Sequence, residues 1–198
     1  MADSEQNYVT LETAEAFARE RLSEKRYAHT VRVTETAGRL ASIHALDGER
    51  TRLAALLHDA AREMPAREYL RLARDWDLRV GDFERENPKL LHGPVAAVLA
   101  RLELGVEDGE VLEAIRVHTT GAPGMSGLAL AVYVADKIEP ARDYPSVERL
   151  RGIAEDDLRA SAREVLRRAI AYNEQRGREV HPESRRTLQW LEEAENAP

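Results

Sequence analysis

A His-Asp pair inside an aliphatic run is the feature that most constrains this chain. The run is LAALLHDAA, residues 53–61, and its large apolar residues recur three and four positions apart. That spacing predicts a helix with a buried face, which Pro65 ends one turn later. An ionised carboxylate in an apolar setting is costly unless it is paired or bound to a metal. Asp59 therefore needs partners from elsewhere in the chain, and His58 supplies a metal-ligand atom directly.

Composition predicts an all-α fold. Alanine, leucine, glutamate and arginine dominate, and no stretch shows sustained two-residue alternation. A chain of 198 residues is long enough for a sizeable core. No linker or repeat divides it, so we expect residues 1–198 to form a single-domain helical bundle with the metal site in its core. The C-terminal helices, at about 146–195, are more polar and are interpreted as solvated faces.

Several function classes are excluded by what the sequence lacks. The absence of cysteine excludes disulfides, thiolate ligands and thiol nucleophiles. A formal net charge of −7 disfavours general nucleic-acid binding through a basic surface. Residues 1–6 are polar and acidic, unlike a signal peptide, and no apolar run reaches membrane-spanning length. We therefore expect a cytoplasmic protein that binds neither nucleic acid nor a membrane.

The apolar periodicity also predicts where the other helices lie. Residues 79–89 are crowded with charge and are interpreted as a loop, and His92 is placed at the mouth of the helix that follows it. The predicted helices besides the one that carries the His-Asp pair are 11–22, 24–43, 65–78, 95–104, 111–118, 128–138, 146–154, 156–176 and 184–195.

Four further positions share the setting of the His-Asp pair. His29, His92, His118 and Asp136 each lie in or at the end of a helix rich in apolar residues. Nitrogen and carboxylate oxygen are the ligands expected for Fe, Mn, Co or Zn in a hydrolytic site. Six side chains exceed what one catalytic ion needs, and one carboxylate can bridge two ions. A two-metal site bridged by Asp59 is the economical interpretation.

Each element alone has a simpler interpretation. A single histidine on an apolar face is more often a core or surface residue, and we interpret His44 in that way. Asp136 alone is consistent with a buried salt bridge. Structural ion pairs do not explain, however, why helices with buried faces carry histidine so selectively. The combination therefore favours a metal site.

Cations flank the same positions. Each of them lies within six residues of one of the candidate ligands, and guanidinium groups suit phosphate because they form forked hydrogen bonds. These cations predict a phosphorylated small-molecule substrate, although spacing does not decide which of them converge. The candidates are Arg26, Arg62, Lys89, Lys137 and Arg142.

The order of these residues resembles the HD superfamily of metal-dependent phosphohydrolases. The bacterial YqeK family is more similar still, and the match spans residues 25–145, with VHPES near residue 181 extending it. A bare His-Asp motif is weakly specific, whereas the run from HTTGAPGMS to ADKIEPARDYP is highly specific. The segments that carry the resemblance are KRYAHTVRV, LAALLHDAAREMP, NPKLLHGPVAA, IRVHTTGAPGMS and VYVADKIEPARDYP.

The resemblance implies an all-helical HD core at about residues 24–145 with a di-iron centre. It also implies symmetrical cleavage of diadenosine tetraphosphate into two ADP, and the family is often linked to NAD metabolism. Manganese and cobalt stay open as alternatives to iron, and the two ions are expected to be divalent or mixed-valent. The implied ligands are His29, His58, Asp59 and Asp136 for one ion, and Asp59, His92 and His118 for the second.

Residue roles follow in part from the resemblance. It implies nucleotide contacts from Arg142 and the Glu179–Ser184 segment. Many YqeK members carry lysine where this chain has Arg62, which keeps the charge but changes its geometry. The expected catalytic residues are His58, Asp59 and Arg62. The expected substrate-binding residues are Arg26, His29, Asp59, Lys89, His92, His118, Thr119, Asp136, Arg142, Glu179, Val180, His181, Pro182, Glu183 and Ser184.

The leading hypothesis is hydrolysis of a dinucleoside tetraphosphate. A metal-bridging hydroxide would attack a β-phosphorus, with ADP leaving. One alternative is another nucleotide substrate, such as a nucleoside mono- or triphosphate or a guanosine alarmone. A second is a non-catalytic HD module that binds nucleotide as a regulator, against which the intact set of six ligands argues. Both a monomer and a homodimer are compatible with the sequence.

Overall fold

All regular secondary structure in the part of the chain that the structure describes is helical. The computed structural model describes residues 9–193, and no β-strand occurs within that range. The predicted all-α fold is confirmed. Residues 1–6, interpreted above as a polar N-terminus, and the predicted end of the last helix at 195 lie outside the described residues. The helices are α1 Leu11–Arg21, α2 Glu24–Ile43, α3 Gly48–Leu57, α4 Ala66–Asp75, α5 Asp82–Glu86, a 3-10 helix Pro88–Leu91, α6 His92–Leu104, α7 Gly109–Val117, α8 Gly127–Ile138, α9 Val147–Asp156, α10 Leu158–Gln175 and α11 Pro182–Glu193.

Helix α8 lies at the centre of the bundle. Its residues from Leu128 to Asp136 are all buried. A helix that is apolar all round has to be covered on every side, and α2, α3, α7, α9 and α10 pack around it. This packing carries the carboxylate of Asp136 into the core, where His29 of α2 meets it.

Helix α3 ends earlier than the sequence predicts. The predicted helix through His58 and Asp59 up to Pro65 is wrong, because α3 stops at Leu57 and residues 58–63 form turns. The ring Nδ1 of His58 donates to the carbonyl of Ala55 at 2.6 Å. In a continuing helix that carbonyl would accept from the backbone N–H of Asp59. The side chain therefore competes with the helix for its acceptor, and the chain turns at the His-Asp pair.

The predicted loop at 79–89 is also wrong in part. Helix α5 forms within it, where Glu84 Oε2 accepts from the backbone N–H of Gly81 at 2.9 Å. The 3-10 helix follows and runs directly into α6, so α6 begins at His92 rather than at the predicted residue 95. Pro94 is tolerated in this first turn because its missing N–H has no partner to lose there.

Several helix starts are fixed by side-chain caps. Asp47 accepts from the backbone N–H groups of Glu49 and Arg50 at 3.0 Å, and Asp108 caps α7 in the same way. Among the helices of residues 9–193, none combines the length and apolar character needed to cross a bilayer.

Candidate metal centre

The six candidate ligands meet at one place in the core. His29 lies within α2, His58 and His118 follow the last residues of α3 and α7, and His92 begins α6. All six side chains belong to buried residues, with between 0% and 8% of their surface exposed. The packing of α2, α3, α6, α7 and α8 therefore brings together residues that are far apart in sequence.

Asp59 lies between two pairs of imidazoles. Its Oδ2 is 3.9 Å from Nε2 of His29 and 3.5 Å from Nε2 of His58. Its Oδ1 is 3.3 Å from Nε2 of His92 and 3.7 Å from Nε2 of His118. Each carboxylate oxygen faces one pair, which is the arrangement that a carboxylate bridging two ions requires.

The four histidines all point the same ring nitrogen toward this centre. Each Nδ1 lies next to a carbonyl or carboxylate oxygen, and because such an oxygen only accepts, Nδ1 must carry the hydrogen. The lone pair of each Nε2 is thereby left for a metal. The Nδ1 acceptors are Glu139 Oε1 for His29 at 3.1 Å, Ala55 O for His58 at 2.6 Å, Lys89 O for His92 at 2.5 Å and Ile115 O for His118 at 2.8 Å.

This tautomer makes the site fit a cation. Nε2 of His92 and Nε2 of His118 lie 2.9 Å apart, although both are acceptors. Nε2 of His29 lies 3.1 Å from Asp136 Oδ1, again acceptor to acceptor, and makes no hydrogen bond. Nε2 of His58 is buried without a hydrogen-bond partner in the described part of the chain. Lone pairs that face one another in the core are stabilised by a metal ion between them.

Three groups of ligand atoms lie close enough to share an ion, each within 4.8 Å. Two of them meet at Asp59, and they contain the ligands that the resemblance implies for the two ions, apart from Asp136. The third links the two through Asp136. The groups are His29 with His58 and Asp59, Asp59 with His92 and His118, and His58 with His118 and Asp136.

Electrostatics keep the two ligand carboxylates ionised and one ligand imidazole neutral. Burial alone would raise the pKa of Asp59, but the neighbouring imidazoles, His58 foremost, hold it well below its usual range. Burial opposes ionisation of Asp136 too, and Lys137 with His29 lowers its pKa far below the ordinary value. Burial lowers the pKa of His118 to about 4, so its imidazole is neutral at pH 7.

The predicted cations divide into two sets. Arg26 Nη1 lies 3.1 Å from Asp59 Oδ2, and Arg142 Nη2 lies 3.0 Å from Asp136 Oδ1. Lys137 Nζ also donates to Asp136, at 2.5 Å from Oδ2. These three cations therefore bind the ligand carboxylates. Arg62 and Lys89 line a cavity beside the histidines, and Lys137 belongs to both sets because it lines this cavity too.

This cavity, of about 740 Å³, lies against the centre at His92 and Thr119. Its volume is typical of small-molecule sites. Arg62, Lys89 and Lys137 give it a cationic wall. Thr119 Oγ1 is 3.2 Å from Nε2 of His92 and from Nε2 of His118, so its hydroxyl marks where the cavity meets the ligands.

The Glu179–Ser184 segment lies at the cavity, as the resemblance implies, but in two parts. Glu179, Val180, His181 and Ser184 line the 740 Å³ cavity. Pro182 and Glu183 line a neighbouring cavity of about 560 Å³. Arg142 lines neither cavity and lies at Asp136 instead.

Contacts with the HD core hold this segment in place. His181 Nε2 lies 2.8 Å from Glu84 Oε1, and Ser184 Oγ donates to the carbonyl of Thr120 at 3.0 Å. Gly121, with φ +72°, lets α11 approach the turn after His118, since a Cβ there would lie 2.8 Å from Thr187 Cγ2. The C-terminal part of the chain is thereby anchored beside the ligands.

Sequence reasoning missed Glu139. This carboxylate is only 2% exposed, accepts from Nδ1 of His29 and is held by Arg32 Nε at 2.7 Å and by the backbone N–H of Ala141 at 2.7 Å. Burial opposes its ionisation, but Arg32, Ala141 and His29 lower its pKa. The sequence did contain a signal for this residue, since Glu139 is a carboxylate three residues after Asp136 at the end of the most apolar helix.

The C-terminal helices were interpreted as solvated faces, which is wrong for one face of α10. Leu166, Ala169, Ile170 and Asn173 line the 740 Å³ cavity. The arginines of this helix predict an exposed, charged surface, whereas its contribution to the site comes from apolar residues and one amide.

Comparisons with known proteins show the family of this chain. The model of the HD domain family matches residues 26–141. The symmetrical bis(5'-nucleosyl)-tetraphosphatase of Bacillus subtilis is 37% identical over 91% of this chain and 96% of its own length. The protein of the same name from Staphylococcus aureus is 36% identical over 83% of this chain and 85% of its own length.

A solved structure is similar over the same length. The crystal structure of a predicted HD superfamily hydrolase involved in NAD metabolism from Clostridium acetobutylicum has a TM-score of 0.89 and 34% sequence identity. It covers 92% of this chain, and this chain covers 97% of it. The chain belongs to the HD-domain family and, within it, to the family of the symmetrical bis(5'-nucleosyl)-tetraphosphatases.

Proposed function

We propose that this chain hydrolyses dinucleoside tetraphosphates symmetrically and converts diadenosine tetraphosphate into two ADP. One observation carries the proposal: Asp59 offers one oxygen to each of two imidazole pairs, next to a cavity with a cationic wall. The relatives that share nearly the whole length of the chain bear this activity in their names.

In this proposal two ions occupy the centre. His29, His58, Asp59 and Asp136 would hold one ion, and Asp59, His92 and His118 would hold the other. We infer iron, with manganese and cobalt as the alternatives that an all-nitrogen and oxygen ligand set allows. The bound ions would supply an activated water and neutralise the charge that develops on the transferring phosphoryl group.

The chain's own cations would bind and orient the phosphates. Arg62, Lys89 and Lys137 face the cavity, where guanidinium and ammonium groups can donate to several phosphate oxygens. None of them can serve as a base while it is cationic. The hydroxyl of Thr119, adjacent to His92 and His118, would donate to a phosphate oxygen once the two imidazoles are occupied.

The remaining side chains have supporting roles. Arg26 and Arg142 compensate the charges of Asp59 and Asp136, and we infer that both also contact the bound substrate. We infer that residues 24–145 hold the ions and that Glu179–Ser184 completes the substrate cavity. We also propose that residues 1–198 form one domain and that the protein is cytoplasmic.

Turnover of diadenosine tetraphosphate by iron-loaded protein tests the proposal. We expect ADP as the sole product and about two ions per chain by elemental analysis. Asp59→Asn should abolish turnover, while Asp156→Asn, an exposed carboxylate on α9, should leave it unchanged. ATP and AMP as products would overturn symmetrical cleavage, and an active Asp59→Asn protein would show that the site is misplaced.

The same assay separates the alternatives. Faster turnover of a nucleoside mono- or triphosphate or of a guanosine alarmone would assign a different nucleotide substrate. Nucleotide binding without turnover, together with fewer than one transition metal ion per chain after iron loading, would indicate a non-catalytic regulator.

A further inference from the structure

The 740 Å³ cavity has two chemically different walls. One part of the lining is charged and has more cations than anions, with Arg62, Lys89, Lys137 and Arg178 beside Glu86 and Glu179. The other part is apolar and belongs to α10, which contributes Leu166, Ala169 and Ile170. A ligand that satisfies both walls is anionic in one part and apolar in another, as a nucleotide is.

The α10 residues at the cavity share one face of their helix. Leu166, Ala169, Ile170 and Asn173 are spaced by three and four positions, which places them in one stripe. Leu166 and Ile170 are 1% and 7% exposed, so they form a packed floor, while Ala169 is exposed to the cavity. Because Ala169 has a small side chain, the floor stays open to a flat ligand.

Asn173 ends this stripe with a carboxamide of fixed orientation. Its Nδ2 donates to the carbonyl of Ala169 at 2.8 Å, and because that carbonyl can only accept, the amide cannot be flipped. One N–H of the amide is used in this way. The second N–H and the amide oxygen remain as one donor and one acceptor.

We propose that this face of α10 is the base subsite for one nucleoside half of the substrate and that Asn173 selects adenine there. This inference rests on the proposed function. A carboxamide that offers one donor and one acceptor complements N7 and the N6 amino group of adenine. Guanine presents two acceptors, N7 and O6, at the same edge, so the oxygen of Asn173 would face another acceptor.

Two pairs of variants test the subsite in the full-length, metal-loaded protein. Ala169→Phe fills the floor and should raise KM for diadenosine tetraphosphate by about tenfold or more with little change in kcat, the signature of lost substrate binding. Ala171→Phe adds the same ring at an exposed position outside the cavity and should leave KM unchanged. Thermal unfolding of both variants confirms that they are folded.

Asn173→Ala tests the selection of the base. The preference for diadenosine over diguanosine tetraphosphate, measured as the ratio of kcat/KM values, should fall by about tenfold. Gln175→Ala, an exposed amide on the same helix, should keep the ratio. Equal KM values for the two phenylalanine variants, or an unchanged ratio in Asn173→Ala, would overturn the proposal.

Equilibrium binding of ADP and GDP separates this inference from the proposed function. If the wild-type protein hydrolyses neither dinucleotide, the proposed function fails, but weaker ADP binding by Ala169→Phe and Asn173→Ala would still support the subsite. If the wild type is active and both variants bind ADP as it does, the subsite alone is refuted.

Discussion

Replacing Gly93 by alanine tests how α6 and α7 build half of the metal centre. A Cβ at Gly93 would lie 2.8 Å from the carbonyl oxygen of Arg116 and 3.1 Å from that of Ile115. It would also lie 3.3 Å from Cε1 of His118. Two of these atoms are backbone and cannot rotate away, so the two helices have to separate by a few tenths of an ångström.

The expected magnitude follows from two opposing effects. Forcing a methyl group into a packed interior costs about 1–3 kcal/mol. Alanine in place of glycine within a helix returns about 0.5–1 kcal/mol. The net loss in the free energy of unfolding therefore lies between about 0 and 2.5 kcal/mol, and the midpoints of the two ranges give about 1 kcal/mol. Because His92 adjoins the substitution and its Nε2 lies 2.9 Å from that of His118, metal affinity should fall as well, by about 10- to 100-fold.

Urea denaturation of the metal-free protein measures the packing cost, and metal titration in a competing chelator measures the affinity. Gly152→Ala is the matched control, since Gly152 lies in α9 and a Cβ there meets nothing within 4 Å. That variant should be more stable than the wild type by about 0.4–1 kcal/mol.

Two results would contradict the reasoning separately. If metal-free Gly93→Ala unfolds at the same urea concentration as the wild type, the close approach of α6 to α7 does not require glycine. If the variant is less stable but binds metal with unchanged affinity, the spacing of these helices does not control the ligands.

Three further predictions concern a charge pair, a supporting carboxylate and the ions. Asp108→Asn keeps the cap of α7 but loses the forked pair with Arg50, at 2.7 and 2.8 Å, so it should unfold about 0.2–1 kcal/mol more easily at pH 7. Arg50 lowers the pKa of Asp108 below 3.8. The difference in unfolding free energy between wild type and Asp108→Asn is therefore complete above pH 3.8 and should vanish as the pH falls through the lowered pKa. A difference that stays constant with pH in urea titrations would contradict this prediction. Glu139→Gln should weaken metal binding by about 10- to 100-fold in chelator titrations, because His29 loses its charged acceptor, whereas the exposed Glu155→Gln should not. Removing the ions should abolish turnover and lower the melting temperature, since a ligand at a hundredfold excess over its Kd stabilises by about 2.7 kcal/mol; equal melting curves with and without metal would count against the site.

Polar residues in apolar helices made the ligands predictable from sequence. A buried His or Asp stands out because its helix offers no other reason for it. The same logic could not assign the cations, since an arginine on a half-exposed position reaches several partners. Arg26 and Arg142 lie on the carboxylates, whereas Arg62 lies at the cavity, and only the packing of distant helices decides between these outcomes.

The base subsite was unpredictable for a related reason. Ala169 and Ile170 look like ordinary core or surface residues, and nothing local distinguishes a helix face that packs from one that lines a cavity. Helix α10 packs on α8, α9 and α11, and its remaining face lines the cavity together with residues of the Glu179–Ser184 segment.

The tautomers of the histidines show which ligands are oriented by residues nearby in sequence and which by a distant element. His58, His92 and His118 each stand at a helix end and donate Nδ1–H to the carbonyl three residues earlier. A helix end leaves carbonyls without an intrahelical partner, as for His58 and His118, whereas the carbonyl of Lys89 accepts from the backbone N–H of His92 as well. All three ligands are oriented by their own neighbours in sequence. His29 lies inside α2, where the carbonyls are used by the helix. It therefore needs an acceptor from a remote element, and Glu139, at the end of α8, is the residue that provides it.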